Sequence, residues 1–83
     1  MITKKSALKE LVELVEKKLK NIEEHYSSLE AFNAIKRNLK AINCCVDTIG
    51  SKFSIEQLKL IYILIYHEEN LGNLELLVKL LIV

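Results

Sequence analysis

Cys44 and Cys45 stand side by side in the stretch INCCVDT, and a thiol pair is the first feature of this chain that could do chemistry. Two thiolates can ligate a soft metal, cycle through a disulfide, or act as nucleophiles. Their spacing argues against the first two uses. On a helix successive side chains point about 100° apart, so the two sulfurs diverge. A tetrahedral zinc site needs C-x2-4-C or H-x3-5-H spacing, which neither these cysteines nor His25 and His67 supply. Taken one at a time, Cys45 falls beside Ala34, Asn38 and Ala41, flanking an apolar stripe, and reads as a buried structural thiol. Cys44 falls with Asn33, Arg37 and Thr48 on the polar side and reads as a surface thiol, the alternative being a reactive thiol with Arg37 two turns back.

The histidines carry no stronger signal. His25 and His67 each fall at the end of a predicted helix, where an imidazolium complements the C-terminal dipole. Neither has a serine, cysteine or carboxylate at a spacing that suggests a nucleophile and its base. Glu23-Glu24 and Glu68-Glu69 are adjacent pairs, unlike the Glu-x-x-His of di-iron bundles. With two glycines in the chain there is no glycine-rich loop to cradle phosphate. No catalytic, metal-ligating or cofactor-binding residue is therefore assigned, and neither an enzyme nor a bound cofactor nor a small-molecule substrate is expected.

One basic cluster, Lys36, Arg37 and Lys40, falls on the exposed side of the second predicted helix. A nucleic-acid interface would want more cations, or aromatics among them, and a recognisable helix-turn-helix. The last two predicted helices succeed one another, but the second carries one lysine and no Arg, Asn or Gln after its cap. Nucleic-acid binding through this patch is the secondary reading.

The elements that position these residues follow from periodicity. There is no proline, and Gly50 and Gly72 sit where apolar spacing breaks, so the chain is predicted to be all-helical. Leu8, Val12, Val15, Leu19, Ile22 and Tyr26 keep four/three steps, one stripe of a first helix. On its opposite face Glu13 and Lys17, and Glu16 and Lys20, are i,i+4 pairs worth roughly 0.2–0.5 kcal/mol each. The stripe jumps at HYSSLEAF. Ser27 through Glu30 reads there as a capping box opening a second helix, the alternative being one long helix with a phase slip. Phe32, Ile35, Leu39, Ile42, Val46 and Ile49 then run to Gly50, read as a C′ residue.

The clearest start signal is FSIEQL: Ser54 as N-cap, Gln57 closing the box, and Phe53 placed to staple against Leu58. It bears on the seven-residue apolar tract Leu60 to Tyr66, which has strand propensity of its own. A helix nucleated at Ser54 carries that tract along with it, and seven residues are far short of the ~20 a membrane span requires. At about 100° per residue, Leu58, Ile61, Tyr62 and Ile65 share one face, whereas Leu60, Ile63 and Leu64 share another with Glu56 and His67. Two apolar faces mean burial on two sides. After Gly72, Asn73 is read as the cap of a final helix to about Ile82, polar only at Glu75 and Lys79, one further i,i+4 pair.

The expected architecture is one domain, residues 1–83, a small four-helix bundle with helices near 4–25, 28–49, 54–69 and 73–82. The first two form an antiparallel hairpin, and the last two complete the bundle and supply its outward apolar surface. A chain this short buries only about 60% of the surface its unfolded form exposes, so it needs an aid such as a disulfide, a metal or a partner. The adjacent cysteines cannot staple distant segments, which leaves a partner. Hydrophobic residues make up 51% of the chain beside 28% charged ones. Of its twenty-three charges only seven fall from residue 51 onward, so the surplus apolar surface belongs to the last third.

A net charge of +1 draws the chain towards neither nucleic acid nor anionic membrane. The N-terminus lacks the apolar run of a signal peptide, and a cytoplasmic chain with reduced thiols is expected. The abundance of Lys, Ile, Asn and Leu suits the AT-rich genome of a low-GC bacterium or its phage. In size and helicity the chain is similar to phage-encoded inhibitors of host enzymes and to bacteriocin immunity proteins, an analogy of fold that identifies no family. The function expected is a non-enzymatic regulator or inhibitor that binds and masks a partner protein, acting as a homodimer. Leu60, Ile63, Leu64, His67, Leu76 and Leu80 form its interface.

Overall fold

Ser54 starts a helix as its neighbours prescribe. In the computed structural model, which describes residues 2–83, the Gln57 amide donates to Ser54 Oγ at 3.1 Å, and the Ser54 amide donates to Gln57 Oε1 at 2.8 Å. Two of the donors that a helix start orphans are thereby satisfied. Ser54→Ala should remove the cap and cost about 1 kcal/mol. An unchanged urea midpoint in that variant would mean the box contributes nothing.

Five helices form among the described residues: α1 Lys4–Tyr26, α2 Glu30–Cys44, α3 Val46–Lys52, α4 Ile55–His67 and α5 Leu71–Leu80. No strand occurs among the described residues, and Leu60 to Tyr66 lies wholly within α4. The other starts show how far a four-letter signature can be trusted. Thr3 and Ser6 build a reciprocal box at the head of α1, with Ser6 standing where the signature asks for Glu or Gln. Ser27 and Glu30, which match the signature, build none. Ser27 keeps αR angles and donates its amide to the Glu23 carbonyl, so it closes α1 and cannot adopt the extended conformation of an N-cap. Leu29 opens α2 without a side-chain cap, and Asn33 Nδ2 tidies the turn by donating to the carbonyls of Ser27 and Leu29.

α5 begins at Asn70, not Asn73: the Asn73 amide donates to Asn70 Oδ1 at 3.0 Å, and Gly72 lies inside the first turn. A Cβ at Gly72 would come within 3.2 Å of that capping oxygen, so the glycine leaves it room and does not end a helix. The helix expected over 28–49 divides at Cys45, which leaves helical geometry (φ −123°, ψ 28°). Gly50 likewise lies inside α3 with no positive φ, and Phe53 caps the end. The division turns the chain across the start of α1, where Ile49 is buried and Lys4 Nζ donates to the Gly50 carbonyl at 2.9 Å.

α1 and α2 form an antiparallel hairpin, with Leu8 and Val12 beside Ile42 and Val46 at one end and Glu23 beside Phe32 at the other. α4 runs along α1 in the same direction: Ala7 and Glu10 lie beside Leu58 and Tyr62, and Lys18 Nζ donates to the Glu68 carbonyl at 3.0 Å. α5 packs chiefly on α2 and meets α4. The core these contacts enclose is wholly apolar, drawn from all five helices, with no buried polar side chain among the described residues. α1 buries two rows, Leu8, Val12, Val15 and Leu19 with Ala7 and Leu11, because α4 covers a side that a single-stripe reading leaves wet. No helix of the structure is long and apolar enough to cross a membrane.

Candidate interaction surface

α4 buries Leu58, Ile61 and Ile65, three residues at helical spacing, with Tyr62 partly buried against the core beside them. At 100° per residue the opposite side of the helix presents Glu56, Leu60, Ile63, Leu64 and His67, all exposed. Leu60 is 57% exposed, Ile63 52% and Leu64 46%. α5 repeats the pattern at lower density. Leu74, Val78 and Leu81 face inward, while Leu76 and Leu80 stand out at 63% and 53% exposure. All six residues expected at an interface are therefore on the surface, on the two helices expected to carry them. Single exposed leucines are ordinary, but a row of apolar side chains along one helix, opposite a core that is already closed, is not.

Tyr66 belongs with this surface too, 59% exposed and packed edge-to-face against His67 at 5.2 Å. It was legible in principle, since it falls off the inward stripe of α4. Beside Ile63 an apolar cleft of about 250 Å³ opens between α1 and α4, floored by Ala7, Leu58 and Tyr62 and flanked by Glu10 and Lys59. Its shape suits one apolar side chain of an incoming partner better than a polar substrate.

The basic patch is less available than its sequence suggests. Lys36, Arg37 and Lys40 are exposed on α2, but Arg37 Nη2 donates to Glu30 Oε1 at 2.6 Å, the single ion pair among the described residues. Lys36 Nζ lies 5.7 Å over the Phe32 ring. Lys36 and Lys40 do share a groove with Lys20, yet Glu16 and Glu23 line the same groove, so its field is mixed. The i,i+4 pairs Glu13–Lys17, Glu16–Lys20 and Glu75–Lys79 do not close, as befits solvated side chains whose pairing gains little over hydration.

Both cysteines are exposed. The expectation that Cys45 is buried fails because a continuous helix phase was carried through the residue at which the helix breaks. Native-state labelling should therefore modify Cys44 and Cys45 at comparable, fast rates, and strong protection of Cys45 would mean the break at that residue closes in solution. His25 occupies the last turn of α1 and His67 ends α4, where helix dipoles favour them. No group of three or more His, Cys, Asp or Glu side chains converges among the described residues. Compared with protein-family models, curated proteins and solved structures, the chain matches none.

Proposed function

We propose that the chain is a non-enzymatic interaction module, a small four-helix bundle with α3 as its connecting joint. It works as a homodimer that covers a surface of a partner protein and so regulates or inhibits it. The observation that carries this reading is the outward apolar row of α4, continued by Leu76 and Leu80 on α5, set opposite an apolar core that is already closed. Apolar side chains in the centre of a contact, with polar ones at its rim, are the usual anatomy of a protein interface. A cytoplasmic setting that keeps Cys44 and Cys45 reduced accords with this use.

Nucleic-acid binding through Lys36, Arg37 and Lys40 is the weaker reading, because Arg37 is engaged by Glu30 and the neighbouring groove carries two carboxylates. A steep loss of duplex affinity with added salt would revive it. The masking function is tested by co-purification from the native host, comparing the natural chain with a Leu76→Glu, Leu80→Glu variant whose helicity is checked by circular dichroism. One protein held in stoichiometric amount by the natural chain and released by the variant is expected. Equal retention by both would move the partner site elsewhere.

A further inference from the structure

Glu56, Leu60, Ile63 and His67 follow four, three and four steps along α4, all exposed, within a wedge about 60° wide at 100° per residue. The stripe has an apolar middle and opposite chemistry at its two ends: a carboxylate in the first turn and an imidazole on the last residue. Among the described residues neither terminal side chain has a hydrogen-bond partner, although Tyr66 packs against the His67 ring. We propose that this stripe is covered by the same stripe of a second copy, with the two α4 helices antiparallel across a two-fold axis. Leu60 then seats against Ile63 of the second copy, and Glu56 meets its His67.

The register follows from the spacing. The Leu60–Ile63 and Glu56–His67 pairs are both centred between residues 61 and 62, so one axis satisfies both, each pair occurring twice. Four/three spacing is what lets side chains of two antiparallel helices alternate along a seam. On one flank Lys59 comes opposite Tyr66 of the second copy, a cation beside an aromatic ring, and on the other Gln57 comes opposite Leu64. A parallel pairing would instead set Glu56 on Glu56 and leave both imidazoles facing each other. The carboxylate in the first turn and the imidazole in the last each complement the dipole of their own helix, and the antiparallel arrangement uses them a second time across the interface.

This inference rests on the homodimer part of the reading above, and sedimentation equilibrium separates the two. Glu56→Lys takes the carboxylate acceptor away from His67 and sets an ammonium donor against it at both contacts, and His67→Glu sets carboxylate against carboxylate. Because the axis counts each substitution twice, each should weaken self-association by about tenfold or more. The double variant Glu56→Lys, His67→Glu sets ammonium against carboxylate, a complementary pair again, and should return to within a few-fold of the natural chain. All four positions of the stripe are exposed, so circular dichroism should show every variant as helical as the natural chain. A natural chain that dimerises while neither single variant weakens it, or while the double variant stays as weak as the singles, overturns the register and leaves the homodimer. A natural chain that stays monomeric at high concentration overturns the homodimer and, with it, the register.

Discussion

Ile61→Glu is expected to unfold the chain, and Ile63→Glu, two residues away on the same helix, is expected to leave it folded. Ile61 is buried among the side chains of the core, and no buried polar group lies there to receive a carboxylate. The substitution forfeits roughly 1.5–3 kcal/mol of apolar burial and adds the cost of an unpaired charge in an apolar interior, several kcal/mol more. A domain of this size has about 5–15 kcal/mol of stability at most to lose. Ile63 is half-exposed, so its replacement removes little from the core and puts the new charge in water or in the contact with a second copy. Circular dichroism separates the two outcomes. A helical, soluble Ile61→Glu would mean the inward and outward faces of α4 have been exchanged.

Phe32→Ala is expected to cost about 3–5 kcal/mol. The ring sits at the start of α2, almost fully buried, where the α1–α2 hairpin closes without a side-chain cap. Packing therefore holds this corner, and removing the ring opens a cavity that no neighbouring cap offsets. At about 4–8 °C per kcal/mol for a domain this small, the thermal midpoint should fall by tens of degrees. A shift of only a few degrees would mean the corner collapses into the space the ring vacates.

The contrast between Ser54 and Ser27 shows where the sequence is readable. Both precede a Glu or Gln by three residues, yet only Ser54 caps, because what decides the matter is whether the serine's own backbone is free to be extended. Ser27 is still held by α1. That is a property of the preceding helix's length, which local spacing does not report. The same limit explains Asn70: the cap that forms is the one whose helix buries Leu74 and Val78 against α2, and an equally plausible asparagine three residues on is absorbed into the first turn. Inward stripes were legible because burial repeats every three or four residues. The break at Cys45 was not, since Val46 and Ile49 continue the apolar spacing across it, and the assignment of Cys45 as a buried thiol failed with it, whereas Cys44 is exposed as its place on the polar side implied.

The surface was more legible than the joints. Leu60, Ile63 and Leu64 could be separated from Leu58, Ile61 and Ile65 by angle alone, because α4 is uninterrupted and well capped, so the phase set at Ser54 holds to His67. The status of the basic patch could not be read this way. The Glu30–Arg37 pair spans seven residues, two turns, and becomes visible only once Glu30 is released from the capping role its position suggests.

The most direct test of the outward face of α4 as an interface is sedimentation of the natural chain beside Ile63→Glu over a wide concentration range. A concentration-dependent dimer for the natural chain, and a helical monomer for Ile63→Glu at every concentration, is the predicted result. A natural chain that remains monomeric throughout, or an Ile63→Glu variant that associates as strongly as the natural chain, would contradict it.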